Sequence, residues 1–227
     1  MALAETASLN KPERTPAPPL GDRLYSIDAF RGFTMICMIG EGFGLGYFLA
    51  DPVIGPIARQ FEHTVWHGMT AWDLIQPFFM FIVGVVMPVS FAKRWRNGES
   101  WNQSLGHVLR RCGLLIFWGL VARSVQAHRP VIDVINVLAQ LSVTYLVAFL
   151  VLKKSWKVQS AVALAFLVAD WAIYQFISAP GVLGPWVQNA NIGQWLDQFV
   201  FHKNWSGSYA TINCIPSTAN TIFGVMA

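Results

Sequence analysis

The side chains best suited to chemistry in this chain are His63, His67 and Asp73, which lie close together with Glu62, Trp66, Gly68, Thr70 and Gln76 around them. An imidazole titrates near neutral pH, so it can take a proton from a nucleophile and return it later. A carboxylate such as Asp73 can orient that imidazole and stabilise its charged form. Spacing alone favours a plainer reading, in which the histidines sit in water at an interface and Asp73 merely favours a helix N-terminus. Zinc is a weaker reading of His63 and His67, because no third ligand is evident and the pattern implies no metal.

Other polar residues stand where they are costly. Asp28 and Arg31 are three apart, so on a helix they share a face and can pair. Glu41 lies about 15 Å further along that helix, near mid-membrane, where a carboxylate costs on the order of 2.5–3.5 kcal/mol. Gly40, Gly42, Gly44 and Gly46 surround it, which predicts a broken or closely packed helix, and Glu41 either faces a hydrated cavity, the reading favoured, or is protonated and hydrogen-bonded. Asn136, Gln140 and Thr144 follow one another at helical spacing. They read either as helix–helix hydrogen bonding or as the lining of a substrate passage.

The elements that must hold these groups are apolar. The 227 residues are 54% hydrophobic and 12% charged, and the mean hydropathy is +0.44. Soluble domains carry roughly 25% charged residues, so too little polar surface is present for water. Six apolar segments stand out, at about 33–49, 74–91, 108–125, 134–152, 158–177 and 212–227. In a bilayer each must be helical, because only a helix satisfies its own backbone hydrogen bonds. The predicted fold is therefore an all-α, polytopic membrane bundle with about six transmembrane helices. Residues 1–22, rich in proline, read as a disordered cytoplasmic tail before a membrane domain over 23–227. The last segment stops at Ala227 without cap or basic flank, which reads as an N-terminal fragment of a longer protein.

Lysine and arginine set the orientation. Twelve lie on the side of the N-terminus and of the second and fourth connections; four, Arg59, Arg123, Arg129 and Lys203, lie on the other. The positive-inside bias puts the N-terminus in the cytoplasm and the loops at about 50–73, 126–133 and 178–211 outside. Eight of ten tryptophans fall at the interfaces this topology defines, as an aromatic belt requires. The net charge of +4 is spread between apolar runs, so it reports topology and not nucleic-acid binding. Cys37, Cys112 and Cys214 read as free thiols. No internal repeat is visible, which weakens an inverted-repeat transporter.

Two stretches carry a resemblance. One is Arg23-Leu-Tyr-Ser-Ile-Asp-Ala-Phe-Arg-Gly32. The other is His63-Thr-Val-Trp-His-Gly-Met-Thr-Ala-Trp-Asp-Leu-Ile-Gln-Pro-Phe-Phe-Met-Phe-Ile-Val-Gly84. Together they resemble bacterial relatives of heparan-alpha-glucosaminide N-acetyltransferase, within the transmembrane acyltransferase group. The stretch at 207–218 is similar to a later motif of that family. The resemblance implies transfer of an acetyl group from cytoplasmic acetyl-CoA to an amino sugar or saccharide acceptor outside the membrane. It implies that His63, first residue of His-x-x-Trp-x-Gly, is the catalytic histidine, as base or as acetyl carrier, and that His67 does not inherit the role. Asp73 is then the orienting partner. Arg23, Asp28, Arg31, Arg110 and Arg111 become candidates around the donor's phosphates, and Glu41, Trp66, His67, Asn136 and Gln140 candidates for substrate or cavity contacts. Acetyl-CoA enters as co-substrate, the lipid bilayer (a bacterial inner membrane) is the surrounding partner, and a homo-oligomer is compatible.

Where relatives carry an asparagine about ten residues before the histidine, this chain reads Ala50-Asp51-Pro52-Val53, so the acceptor can differ from glucosamine. Two other functions fit the polar residues less well. One is a transporter or flippase for a sugar-containing substrate using Glu41, Asn136 and Gln140; the other is a structural piece without activity.

Overall fold

The computed structural model describes residues 25–132, 134–201 and 210–227. The expected tail and Arg23 lie outside the described residues, and so does the side chain of Glu41. Among the described residues eight α-helices follow in order: α1 Tyr25–Ile39, α2 Gly55–Ala58, α3 Ile75–Arg96, α4 Trp101–Gln126, α5 Val137–Val151, α6 Trp156–Phe176, α7 Ile192–Phe201 and α8 Cys214–Met226. Among the described residues there is no strand. All six apolar segments fall on helices, and the fold is an all-α bundle.

Three stretches, Trp72–Arg96, Trp101–Gln126 and Trp156–Phe176, are long and apolar enough to cross a membrane. At 1.5 Å per residue they run about 30–40 Å, the thickness of the hydrocarbon and its margins. Their outward faces carry Phe117, Trp118, Leu164, Trp171 and Phe176, all exposed. A surface this apolar suits lipid and not water. The first apolar segment is divided: α1 ends at Ile39, and a 3-10 helix runs from Glu41 to Phe48. The glycines around Glu41 predict that break. The outer segment 178–211, read as a loop, contains α7. Its start is held by Asn191, whose Oδ1 accepts from the Gln194 N–H at 3.1 Å, a capping residue visible in the sequence but hidden there by its loop-like neighbours.

The start of α4 follows from local chemistry. Ser100 and Gln103 form a reciprocal capping box at α4, so Ser100→Ala should lower stability by about 1 kcal/mol. A thermal melt of purified protein reads this directly, and an unchanged melting temperature would contradict it.

At the centre lies α8, packed against α3, α5 and α6, while α4 lies on α5 and α1 on α3. Buried Met80 and Met87 of α3, Val108 of α4, Phe149 of α5 and Ile222 of α8 share one core. Close approach is possible because α8 is built of small residues. Thr218 and Thr221 are buried, but their hydroxyls bond back to the Cys214 and Ser217 carbonyls of their own helix. They therefore present a nearly apolar face. Where α8 crosses α3, Gly224 meets Gly84: a Cβ on Gly84 would lie 3.0 Å from the Gly224 Cα, and one on Gly224 would lie 3.1 Å from the Gly84 Cα. Asn220 adds a polar tie, its Nδ2 donating to the Pro77 carbonyl at 2.6 Å.

Candidate active site

The segment from Glu62 to Ala71 has no regular secondary structure, yet it is fastened by one carboxylate. Asp73, in the 3-10 turn Trp72–Leu74 that opens α3, contacts His63 Nδ1 through Oδ1 at 2.7 Å. Its Oδ2 accepts from the Thr64 hydroxyl at 2.7 Å and from the Thr70 N–H at 2.9 Å. The Thr70 hydroxyl lies 3.0 Å from the same oxygen and 2.7 Å from the Glu62 carbonyl, to which it donates. Gly68 turns the chain back with φ +108°, a conformation that side chains rarely adopt. This is the physical use of the glycine in His-x-x-Trp-x-Gly. The 3-10 turn begins at Trp72, two residues after Thr70, and α3 follows from Ile75.

An ionised carboxylate accepts and does not donate, so the imidazole proton in this pair sits on Nδ1. The lone pair is then on Nε2, and the His63 side chain is 73% exposed against 26% for Asp73. A half-buried carboxylate thus orients an exposed imidazole, the arrangement used for proton abstraction or nucleophilic attack. Trp66 packs edge-on against His67, with ring centroids 6.3 Å apart. Upstream, Asp51 accepts from the Ile54 and Val53 N–H groups at 2.9 and 2.8 Å. These backbone donors hold its carboxyl below the usual carboxylate range. Asp51, within the stretch Ala50–Val53, is therefore engaged in a turn.

Around the middle of α3, four helices line a cleft of about 60 Å³ formed by Arg31 of α1, Val83, Met87 and Ser90 of α3, Arg111 of α4 and Tyr145 of α5. Arg111 lies ten residues beyond Trp101, about 15 Å into the membrane-spanning part of α4. Its guanidinium is 4.5 Å from the Tyr145 ring centroid, and Nη1 donates to the Tyr145 hydroxyl at 3.3 Å. A cation at this depth is tolerated when it faces a polar cavity. Arg31 pairs with Asp28 at 3.8 Å. Thus Arg31 and Arg111 share this lining, whereas Arg110 is not part of it.

Asn136 and Gln140 hold helices together. Asn136 caps α5, its Oδ1 accepting from the Ala139 N–H at 2.9 Å, and packs on Gly119 of α4. Gln140 is buried and accepts from Gln76 Nε2 at 2.9 Å, joining α5 to α3. Of the two readings of this stripe, helix–helix bonding is the one these contacts match. Sequence reasoning did not single out Thr64, Ser90 or Tyr145. Ser90, a polar residue inside an apolar run, could have been flagged; Tyr145 and Thr64 carry no such signal.

A family described as "Heparan-alpha-glucosaminide N-acetyltransferase, catalytic" matches residues 23–202. The human heparan-alpha-glucosaminide N-acetyltransferase is 33% identical over 102 residues, 45% of this chain and 14% of that protein. The mouse protein is 31% identical over 100 residues, 44% of this chain and 14% of its own length. The aligned stretch is thus a small part of each curated relative. Because the family match embraces the helical bundle from before α1 to the end of α7, with the His63–Asp73 pair and the arginine cleft inside it, the chain belongs to the heparan-alpha-glucosaminide N-acetyltransferase catalytic family.

Proposed function

We propose that this chain moves an acetyl group from cytoplasmic acetyl-CoA to an amino sugar or related saccharide on the outer side of a membrane, a bacterial inner membrane with the N-terminus in the cytoplasm. The observation that carries the reading is the 2.7 Å contact between His63 Nδ1 and Asp73, which leaves Nε2 as an exposed base within the matched family segment. In this scheme Nε2 removes a proton from the acceptor amine as its nitrogen attacks the thioester carbon. The C–S bond then breaks and the CoA sulfur leaves as thiolate, to be reprotonated. Alternatively, Nε2 itself attacks and carries the acetyl group before the amine takes it. Asp73 stabilises the imidazolium in both schemes.

The donor's phosphates would lie at the cleft of Arg31 and Arg111, where guanidinium groups match phosphate geometry. Met87 of that cleft and Asp73 are 14 residues apart on α3 and its opening turn, about 21 Å. That is the kind of distance an extended pantetheine arm must cover. The lysine and arginine bias supports the same direction, with His63 outside and the cleft inside. Arg111→Ala should therefore raise KM for acetyl-CoA about 10–100-fold, the worth of a charge-assisted hydrogen bond, without changing KM for the acceptor. Steady-state kinetics with each substrate varied in turn checks this. The overall reading is tested by transfer from labelled acetyl-CoA to a panel of amino sugars, with membranes carrying the wild type or His63→Ala. Substrate movement without acetyl-CoA consumption would replace it with a transport function.

A further inference from the structure

The His63 segment is pinned at both ends by Asp73, but its middle needs a separate support. Two hydrogen bonds supply it from residues 120 and 123 positions away. Trp66 Nε1 donates to the Trp186 carbonyl at 2.7 Å, and Gln188 Nε2 donates to the Val65 carbonyl at 3.1 Å. Val65 and Trp66 are the second and third residues after His63.

The donor and acceptor on the far side belong to a well-tied turn. Leu183 N–H donates to the Ala190 carbonyl at 2.9 Å, and Ala190 N–H to the Val187 carbonyl at 3.3 Å. Asn191 Nδ2 also reaches the Val187 carbonyl, at 3.1 Å, while its Oδ1 caps α7. The Trp186 ring lies parallel to that of Tyr174 on α6, 6.3 Å between centroids and 5° between planes. The turn is therefore fixed to α6 and α7, and the irregular His63 segment is fixed to the turn.

We propose that the turn 183–190 is a positioning strut for the reaction, with Gln188 and the Trp66 indole as positioning residues that hold His63 against Asp73 at the geometry the acceptor meets. This rests on the acetyl-transfer reading. Neither residue needs to touch the reacting atoms. A base displaced by even 1 Å loses much of its rate advantage, so the strut should act on turnover and not on donor binding.

The test uses the full chain in membranes. Gln188→Ala and Trp66→Phe, which keeps the ring and removes the N–H, should each lower kcat roughly tenfold with KM for acetyl-CoA unchanged. Because both bonds join the same two segments, the double variant should lose little more than the worse single one. Gln188→Lys, which restores a donor for the Val65 carbonyl, should recover most of the loss. Hydrogen exchange supplies a readout independent of turnover: amides of 62–71 should exchange faster in Gln188→Ala and Trp66→Phe while α3 stays protected. Unchanged kcat in both single variants, a Lys variant as slow as the Ala variant, or wild-type exchange over 62–71 would overturn the strut. A rise in acceptor KM at constant kcat would also overturn it, assigning direct acceptor contact instead. Should the wild type transfer no acetyl group from acetyl-CoA, the acetyl-transfer reading fails, and should His63→Ala match the wild type, the histidine's role fails; in either case the exchange measurement still decides whether the two segments are joined.

Discussion

Membranes carrying His63→Ala are expected to lose acetyl transfer by a factor of about 10²–10⁴ if the imidazole is a base, and completely if it carries the acetyl group. The difference follows from what water can replace. A missing base leaves the acceptor and the thioester in place, so a slower, unassisted attack continues. A missing carrier removes the only atom able to hold the acetyl group between the two half-reactions. The residual rate therefore separates the two schemes. Asp73→Asn should follow in the same direction. An amide can present N–H in place of a carboxylate oxygen to Nδ1, which frees the imidazole to take the other tautomer and withdraws the compensating charge. It also disturbs the bonds from Thr64 and Thr70, so the loop must be checked by its exchange rate. Transfer by His63→Ala at the wild-type rate, with the protein present in equal amount, would refute the assignment.

The second large effect concerns the fold. Gly84→Ala and Gly224→Ala should each destabilise the bundle by about 2–4 kcal/mol, on the scale of overpacking a close helix contact. The new methyl at position 84 meets the Thr221 carbonyl and the backbone of Gly224 and Val225; that at position 224 meets the Phe81 carbonyl and Gly84. Those neighbours are main chain, which cannot rotate aside, so α3 and α8 must separate. Once they separate for one methyl there is room for the other, and the double variant should cost less than the sum of the two. Thermal unfolding in detergent measures all three. Full additivity, or single variants that melt with the wild type, would mean that the crossing is not tight. Damage here would also reach the candidate site, since α3 follows the turn that holds Asp73 and lines the arginine cleft at its middle.

Both results bear on one architecture. A helix that crosses the bundle connects the two places where donor and acceptor chemistry would occur, and α8 clamps it through glycine and back-bonded threonines. The prolines agree with this use of α3. Pro77 lies in the first turn, where a missing N–H costs little, and Pro88 lies inside the helix, where it leaves the Gly84 carbonyl without its usual helical donor.

Much of this was legible in the residues themselves. Apolar runs near 20 residues and the glycines around Glu41 determine membrane helices and the break after Ile39, because these depend on groups within a few residues of each other. What only the tertiary structure decided is which partners those groups take. Spacing left Asp73 as either a helix-start residue or the partner of His63, since ten residues of irregular backbone can run in many directions; the hydrogen bonds of Thr64 and Thr70 to the same carboxylate select one. Gln140 could have lined a passage until the register of α3 set Gln76 beside it. Trp66 could have been one more interfacial tryptophan until the turn before α7 arrived to accept its N–H. Contacts between residues 64 or 120 positions apart are set by how helices dock, and docking is decided by the whole packed surface rather than by any local pattern.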